Sequence, residues 1–294
     1  MAAGQEAKAT HQKGVVSMNA VELKQRAKEH GADLIGIASY ERWADLAPGK
    51  NPRSIMPQCK SVIVIGRKIL RGAFRGVEEG TNFNSTYAMY GRDWHEGIFF
   101  PRVTYALCND LERCGAEAMP LSGGMPGGEN KVIGNEGVAA NVSLDTKFFA
   151  QAAGLGSIGK GGFFLTSKYG HRQRFGLILT DLELAGDPLV ELDLCKDCDA
   201  CLRACPLQAL TASGASTFAL NTKLCGLCQN GRQNSGGLRF EPLDRLAAAC
   251  GRACMVALED KIEERFNTPF RKRAVWERDI HGKATVKPLP KKGE

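Results

Sequence analysis

Four closely spaced cysteines constrain this chain more than any other feature of its sequence. Residues 195–206 read CKDCDACLRACP, which is the spacing C-x2-C-x2-C-x3-C-P. This spacing is typical of bacterial proteins with two [4Fe–4S] clusters, in which three of the thiolates hold one cubane and the fourth holds the other. The run therefore predicts two clusters, and it requires a second group of cysteines elsewhere in the chain.

A second group of cysteines follows the run as a C-x2-C pair and a C-x3-C pair. By symmetry with two-cluster ferredoxins, the last cysteine of each group is assigned to the cluster of the other group. The first cluster is expected to take Cys195, Cys198, Cys201 and Cys254, and the second Cys205, Cys225, Cys228 and Cys250. Zinc is the alternative ligand, but the additional C-x2 step and the C-x3-C-P ending favour clusters over a zinc ribbon.

The remaining composition indicates a globular protein of a reducing compartment. Hydrophobic residues make up 43% of the chain and charged residues 24%, an ordinary balance for a folded core. The sequence has no apolar run of the roughly 18–20 residues that cross a bilayer, and residues 1–17 are polar, so we expect a disordered leader and a cytoplasmic protein. Clustered cysteines in that compartment are metal ligands more often than disulfides. The scattered Cys59, Cys108 and Cys114 are expected to be buried structural thiols.

Regular apolar patterns in the first part of the chain predict a domain with a central sheet. The predicted strands are 34–38, 61–66 and 175–180, and the predicted helices are 21–27, 99–114 and 148–153. Because helices and strands are interleaved, the expected class is α/β or α+β. The predicted units are a leader (1–17), a first domain (18–187), a cysteine-bearing domain (188–258) and a charged tail (259–294).

A glycine-rich segment at 154–162 contains the pattern G-x-G-x-x-G. It follows a predicted helix instead of a strand, so it is a weak match to a dinucleotide-binding motif. Gly154, Gly156 and Gly159 would permit close backbone approach to a bulky planar or phosphate-bearing ligand, and Lys160 could neutralise a phosphate. The alternative is a tight turn with an exposed lysine.

Aromatic and charged residues are concentrated at 87–95, which we interpret as a loop. His95 is the group there that titrates nearest to neutral pH, and it either contacts a ligand or bonds to Asp93 at a helix start. Arg172 and Arg174 share one face of a predicted strand, where a solvated face is the favoured interpretation.

Three segments resemble the superfamily of epoxyqueuosine reductases and reductive dehalogenases, which are corrinoid iron–sulfur enzymes. They are YAMYGRDWH at 87–95, AGLGSIGK at 153–160 and FGLILTDLEL at 175–184. The resemblance covers about residues 18–254. It implies α+β architecture, with a nitroreductase-like α/β sandwich domain that holds cobalamin and a small ferredoxin-like domain that supplies electrons one at a time. FMN in place of cobalamin is a variant of the same prediction.

The resemblance also supplies candidate site residues, with departures. Trp94 and Ser157 stand where the family has tyrosine and tryptophan, and the position of its acidic proton donor is Ala140. The candidate proton donors are therefore His95 and Tyr90, with Asp145 as the nearest acidic substitute. The candidate cofactor-binding residues are Arg92, Asp93, Gly154, Gly156, Gly159 and Lys160.

The expected partners are a small organic substrate and an electron donor such as a ferredoxin or flavodoxin. Transfer RNA is not expected as a partner, because the net charge of +7 falls when cysteines bind clusters as thiolates and the helical-repeat extension of the tRNA-modifying relatives is absent. The alternative function is an electron-transfer or assembly protein that uses its clusters without a third cofactor.

Overall fold

The structure is a computed structural model that describes seven stretches of the chain. These are residues 18–79, 81–121, 142–214, 217–228, 243–266, 274–278 and 284–288. The predicted leader and part of the predicted tail lie outside the described residues.

A four-stranded antiparallel sheet forms the centre of the first part of the chain. Its strands are β1 (Leu34–Ser39), β2 (Ser61–Lys68), β3 (Ala118–Leu121) and β6 (Gln173–Thr180), in the spatial order β1-β2-β6-β3. Ile63 of β2 lies opposite Ile37 and Ile178 in the register of the three longer strands. These isoleucines face one apolar core, while Val62 and Val64 face another. The sheet is therefore buried on both faces, which explains why the longer strands contain runs of consecutive apolar residues.

Three helices cover the two faces of this sheet. α1 (Ala20–Glu29) and α3 (Phe100–Arg113) contribute to the core on the Ile63 face, and α4 (Thr146–Ala152) contributes to the other. Asn19 and Glu22 form a capping box at the start of α1, which satisfies N–H groups that the first helical turn leaves open. Gly31, with φ of +95°, follows the end of the helix and adopts the left-handed conformation that glycine tolerates.

The segment at 84–99 is helical, so the predicted loop is wrong there. It follows α2 (Arg75–Glu78) as two π-helical stretches, Asn84–Asp93 and His95–Phe99, that lead directly into α3. The bond from the Ala88 N–H to the Phe83 carbonyl, at 3.0 Å, spans the five residues of a π-helical turn. The aromatic side chains of 87–95 were expected to lie in a loop; instead Tyr87 is buried along this helical segment.

The cysteine-bearing part is built from short elements. They are α5 (Ala200–Arg203), β7 (Leu210–Ser213), β8 (Thr217–Leu220), α6 (Thr222–Gly226) and α7 (Ala249–Leu258). Its small apolar core includes three of the cysteines, Cys201, Cys250 and Cys254, together with Phe163 and Leu165 from the first part. The two-residue strands β4 (Ser157–Ile158) and β5 (Phe164–Leu165) pair with each other beside it, and β9 (Ala274–Arg278) pairs with β10 (Ala284–Pro288) nearer the C-terminus.

Buried polar contacts join α7 to the first part of the chain. Arg252, which lies midway between Cys250 and Cys254 in the helix, pairs with Glu78 of α2 at 3.0 Å, and both side chains are at most 4% exposed. The Gly251 carbonyl accepts a hydrogen bond from His171 Nε2 at 2.6 Å. A buried charge pair costs much to break once it is desolvated, so these contacts fix where α7 lies.

The predicted mixed helix and strand class is confirmed, and so are the predicted strands and helices of the first part to within a few residues. β3 was missed. No helix in the described stretches combines the length and the apolar character needed to cross a membrane.

Candidate metal centre and adjoining polar site

The first predicted ligand group comes together in space. Burial raises the pKa of Cys254 well above its usual range, and the neighbouring thiols of Cys201, Cys195 and Cys198 raise it further. Burial likewise raises the pKa of Cys201 to about 11, with Cys195, Cys250 and Cys198 adding to the shift. Thiols influence each other in this way only when they are close. The fold of α7 thus returns Cys254 to a run that lies about fifty residues earlier in the sequence.

The second predicted group is joined through Cys250 and Cys205. Burial raises the pKa of Cys250; the Arg245 guanidinium opposes this shift, and the Cys205 thiol adds to it. The Ala209 N–H donates a hydrogen bond of 3.3 Å to Cys205 Sγ. Cys225 lies in α6 and Cys228 is buried just after it; their place in the second cluster stays a prediction.

Within the described residues, no three His, Cys, Asp or Glu side chains converge closely enough to hold a single metal ion. A cubane presents a separate iron to each of its four ligands, so its thiols stand further apart than those around one tetrahedral ion. The other three cysteines lie in the cores of the first part, where Cys59 and Cys108 are buried and Cys114 is half-buried. Burial raises the pKa of Cys59 to about 11 and that of Cys108 to about 12.

The predicted glycines contact protein atoms. A side chain at Gly154 would lie 2.1 Å from the Pro188 carbonyl oxygen, and one at Gly156 would lie 2.0 Å from the Leu165 carbonyl oxygen. A side chain at Gly159 would lie 2.8 Å from Cys195 Sγ. The predicted close approach of backbone is present, and its described partners are main chain and cysteine.

Lys160 faces the cysteine run. Its Nζ donates to the Lys196 carbonyl at 2.8 Å and lies 5.3 Å from the Phe218 ring centroid. The lysine is half-buried, and a hydrogen bond from its backbone to Cys195 opposes the rise that burial causes in the pKa of that thiol. Lys160, for which an exposed position in a tight turn was the alternative interpretation, therefore connects the glycine segment to the turn that carries Cys195.

His95 lies in the core and not in an open site. It is 1% exposed, packs against Trp94, and its Nε2 is 3.0 Å from the Lys68 carbonyl. Burial lowers its pKa to about 4, so the ring is neutral at neutral pH and Nε2 carries the proton that the carbonyl accepts. The hydrogen bond to the Lys68 carbonyl takes the place of a bond to Asp93, and the buried position of His95 disfavours a role as proton donor.

The other predicted residues are dispersed. Tyr90 is 52% exposed on the π-helical segment. Asp145 is the N-cap of α4, where its Oδ1 accepts the N–H groups of Lys147 and Phe148. Arg92 pairs with the adjacent Asp93 at 2.8 Å. The capping role occupies the Asp145 carboxylate with backbone donors, which weakens its case as a substitute acid.

A polar cluster that the sequence did not indicate surrounds Arg174. This guanidinium bonds to the Tyr87 hydroxyl at 3.1 Å, pairs with Glu96 at 2.7 Å and pairs with Asp244. Tyr87 donates its hydroxyl proton to Asp244 at 2.7 Å, and burial together with that carboxylate raises the tyrosine pKa well above its usual range. The predicted solvated face is thus wrong, since Arg172 is also buried. Strand alternation could place the arginines on one face, but only long-range pairing reveals their partners.

The segment of Asp244 and Arg245 touches both predicted cofactor segments. Arg245 donates to the Gly161 carbonyl at 2.8 Å, and Asp244 receives the Tyr87 hydroxyl. Residues 87–95 and 154–162 are therefore neighbours through this dipeptide. A separate cavity of about 590 Å³ includes none of the predicted site residues. It is lined by Ser39, Tyr40, Glu41, Arg53, Lys60 and Glu183–Gly186.

Relatives of two kinds are similar to this chain in sequence. An epoxyqueuosine reductase of Staphylococcus aureus is 29% identical over 208 residues, which are 69% of this chain and 48% of the relative. A tetrachloroethene reductive dehalogenase of Desulfitobacterium hafniense is 30% identical over 220 residues, which are 64% of this chain and 38% of the relative. No protein-family model matches the chain.

Solved structures of both kinds share the fold. A B12-dependent reductive dehalogenase superposes with a TM-score of 0.57 at 18% identity, over 87% of this chain and 34% of that chain. An epoxyqueuosine reductase of Streptococcus thermophilus superposes with a TM-score of 0.50 at 18% identity, over 82% and 65%. The resemblance to the superfamily of epoxyqueuosine reductases and reductive dehalogenases is confirmed by these relatives in sequence and by these structures in fold. Both kinds of relative are reductases, which supports a redox function, although the chain spans only about half or less of the length of these two curated relatives.

The expectation that transfer RNA is not a partner is overturned. Several relatives are epoxyqueuosine reductases, and one similar solved structure is such an enzyme with a modified tRNA stem loop. The expectation rested on net charge and on the missing helical-repeat extension. Net charge is a weak guide, because nucleic-acid binding depends on where basic groups lie on the surface.

Proposed function

We propose that the protein is an iron–sulfur oxidoreductase that passes single electrons through two [4Fe–4S] clusters for the reduction of an organic substrate. The observation that carries this proposal is the packing of Cys195 and Cys201, from the run, with Cys254 of α7 in one small apolar core. Thiols bind metal as thiolates, so a cluster bound there would couple this packing to metal binding. When bound, the clusters would carry single electrons between a donor and an acceptor.

The finer architecture is part of the proposal. The first domain (18–187) is nitroreductase-like, and the cysteine-bearing domain (188–258) is ferredoxin-like. The cysteines of the second domain lie against glycines and apolar residues of the first. Such contact favours electron transfer to an acceptor held by the first domain. The donor is a ferredoxin or flavodoxin, and the protein acts in the cytoplasm.

An organic cofactor is proposed as the acceptor, cobalamin first and FMN as its variant. The name of one similar solved structure supports cobalamin, because that reductive dehalogenase is B12-dependent. The glycine segment fits such a ligand poorly, since protein atoms fill the directions open at Gly154 and Gly156. The π-helical segment fits better: Met89, Tyr90 and Ile98 are exposed on it by 46%, 52% and 57%, and apolar side chains suit the face of a large planar ligand.

The first experiment measures metal. Anaerobically reconstituted protein should contain about eight irons per chain, because each cubane holds four. Cys198→Ala should lose about half of that iron. Cys114→Ala is the matched control, because this thiol packs against the core of the first domain, and it should retain all of it. Zinc with little iron, or equal iron in the two variants, would contradict the proposal.

The second experiment separates the reductase from the electron-transfer alternative. Iron-loaded protein is titrated with hydroxocobalamin and, separately, with FMN, and the cofactor spectra are followed. Binding that weakens in Tyr90→Ala but not in Tyr105→Ala, a tyrosine of α3 that is 70% exposed, supports the reductase and its proposed face. If neither cofactor binds at micromolar concentration while the clusters stay intact, the protein is an electron-transfer or assembly protein.

The substrate class follows from the two kinds of relative. Organohalides and epoxyqueuosine-modified tRNA are the substrates that their names indicate. Both are assayed with the same cofactor-loaded protein and a chemical reductant. Turnover of one and not the other assigns the chain to that branch of the superfamily.

A further inference from the structure

The backbone of the glycine segment lies against two of the proposed cluster ligands. Its turn is closed by bonds from the Gly159 N–H to the Phe163 carbonyl and from the Gly162 N–H to the Gly159 carbonyl, both 2.8 Å. A Cβ at Gly159 would lie 2.8 Å from Cys195 Sγ, and one at Gly161 would lie 2.6 Å from Cys201 Sγ. Real Cβ atoms do not approach sulfur so closely, so the thiols need hydrogen at both positions.

Lys160 presents polar groups to the same cysteine run. Its carbonyl accepts the Phe218 N–H at 2.8 Å, which fixes the orientation of this peptide. Its ammonium group donates to the Lys196 carbonyl at 2.8 Å, one residue from Cys195. The ammonium group of Lys160 and the backbone of Gly159 and Gly161 therefore lie beside the first ligand group.

We infer that the turn at 159–161 is a positioning element that forms one wall of the first cluster site and raises the reduction potential of that cluster alone. The inference rests on the proposed function. Reduction adds negative charge, so a nearby cation such as the Lys160 ammonium group stabilises the reduced state. The turn approaches Cys195 and Cys201, which belong to the first group, and this explains why the effect is confined to one cluster.

The test is an anaerobic potentiometric titration of the iron-loaded full chain, followed by electron paramagnetic resonance. Lys160→Met should move one of the two reduction steps to a more negative potential and leave the other unchanged, and Lys160→Arg should restore it. Lys196→Met is the matched control, because that side chain is 70% exposed and paired with Asp193; it should move the step less than Lys160→Met does, since solvent screens its charge.

A second pair of variants tests the backbone contact. Gly161→Ala should shift the same step or remove about half of the iron, because its methyl group cannot share space with Cys201 Sγ. Gly226→Ala, next to proposed ligand Cys225 but with no atom within 4 Å of its new Cβ, should leave both steps in place.

The outcomes distinguish this inference from the proposed function. Unchanged potentials in iron-loaded Lys160→Met and Gly161→Ala, equal shifts of both steps, or an equal effect of Lys196→Met would overturn the inference and leave the clusters standing. Wild-type protein that takes up no iron would remove the proposed function and the inference together.

Discussion

The buried pair of Arg252 and Glu78 allows a test of how the cysteine helix α7 is held on the first domain. The two side chains are 4% and 1% exposed, and Arg252 Nη1 lies 3.0 Å from Glu78 Oε2. Glu78→Gln keeps the shape of the side chain but leaves the guanidinium without its carboxylate. Breaking a buried pair in this way costs about 3–5 kcal/mol. At roughly 2 °C per kcal/mol for a chain of this size, the melting temperature should fall by about 6–10 °C.

The assay is thermal unfolding of anaerobic, iron-loaded protein, followed by circular dichroism. Lys60→Met is the control, because Lys60 and Glu183 form a pair that is 49% and 83% exposed, and its loss should cost no more than about 1 kcal/mol. The double variant Glu78→Gln with Arg252→Met should be more stable than Glu78→Gln alone, since it no longer buries an uncompensated charge. A Glu78→Gln protein that melts within about 2 °C of wild type would refute the reasoning.

Two further predictions concern the first domain. Gly154→Ala should destabilise the protein by more than about 1 kcal/mol, because φ of Gly154 is +69° and the new methyl group meets the Pro188 carbonyl. The control Gly49→Ala, with open space around the new methyl group, should have the melting temperature of wild type. Equal melting temperatures of the two variants would contradict this prediction. Burial lowers the pKa of His95 from about 6.5 to about 4. Between these pH values the histidine is protonated in the unfolded chain and neutral in the folded chain. The stabilisation is complete above about pH 6.5 and is lost as the pH falls towards 4, by roughly 3 kcal/mol. His95→Gln should show a shallower loss in urea titrations across that range, and a wild-type curve that is flat from pH 6.5 to 4 would exclude the effect.

The secondary structure of the first domain was predictable because its signals are local. β2 contains a continuous β-branched run, β1 and β6 contain short apolar runs, and α3 carries its apolar residues at helical spacing. β3 was missed because it is only four residues long and contains Pro120. Its pairing with β6 is a tertiary contact, which no local pattern reveals.

The candidate site was predictable only where spacing encodes geometry. The C-x2-C-x2-C-x3-C spacing pointed to the ligands of the first group, and symmetry brought Cys254 to them. The surroundings of the candidate proton donors were not predictable, because burial decides their chemistry. His95 is enclosed by the core. Tyr87, three residues before the predicted Tyr90, contacts Arg174 from a distant strand. The tRNA expectation was wrong in its use of the net charge of the whole chain, which gives no information about where basic groups lie on the surface.

The surroundings of the first ligand group connect these observations. Three of its cysteines come from the run at 195–201, the fourth comes from α7, and the wall beside them is the glycine turn of the first domain. Since α7 is itself fixed by Glu78, and Glu78 lies just before the π-helical segment, the ligands of this group and the proposed cofactor face share one set of buried contacts. A metal site that depends on such distant segments is completed only when the first domain has folded, because the thiols must be brought together before the metal can stabilise them. The boundary at 187 therefore divides the sequence by composition, while the surroundings of the first ligand group come from both sides of it.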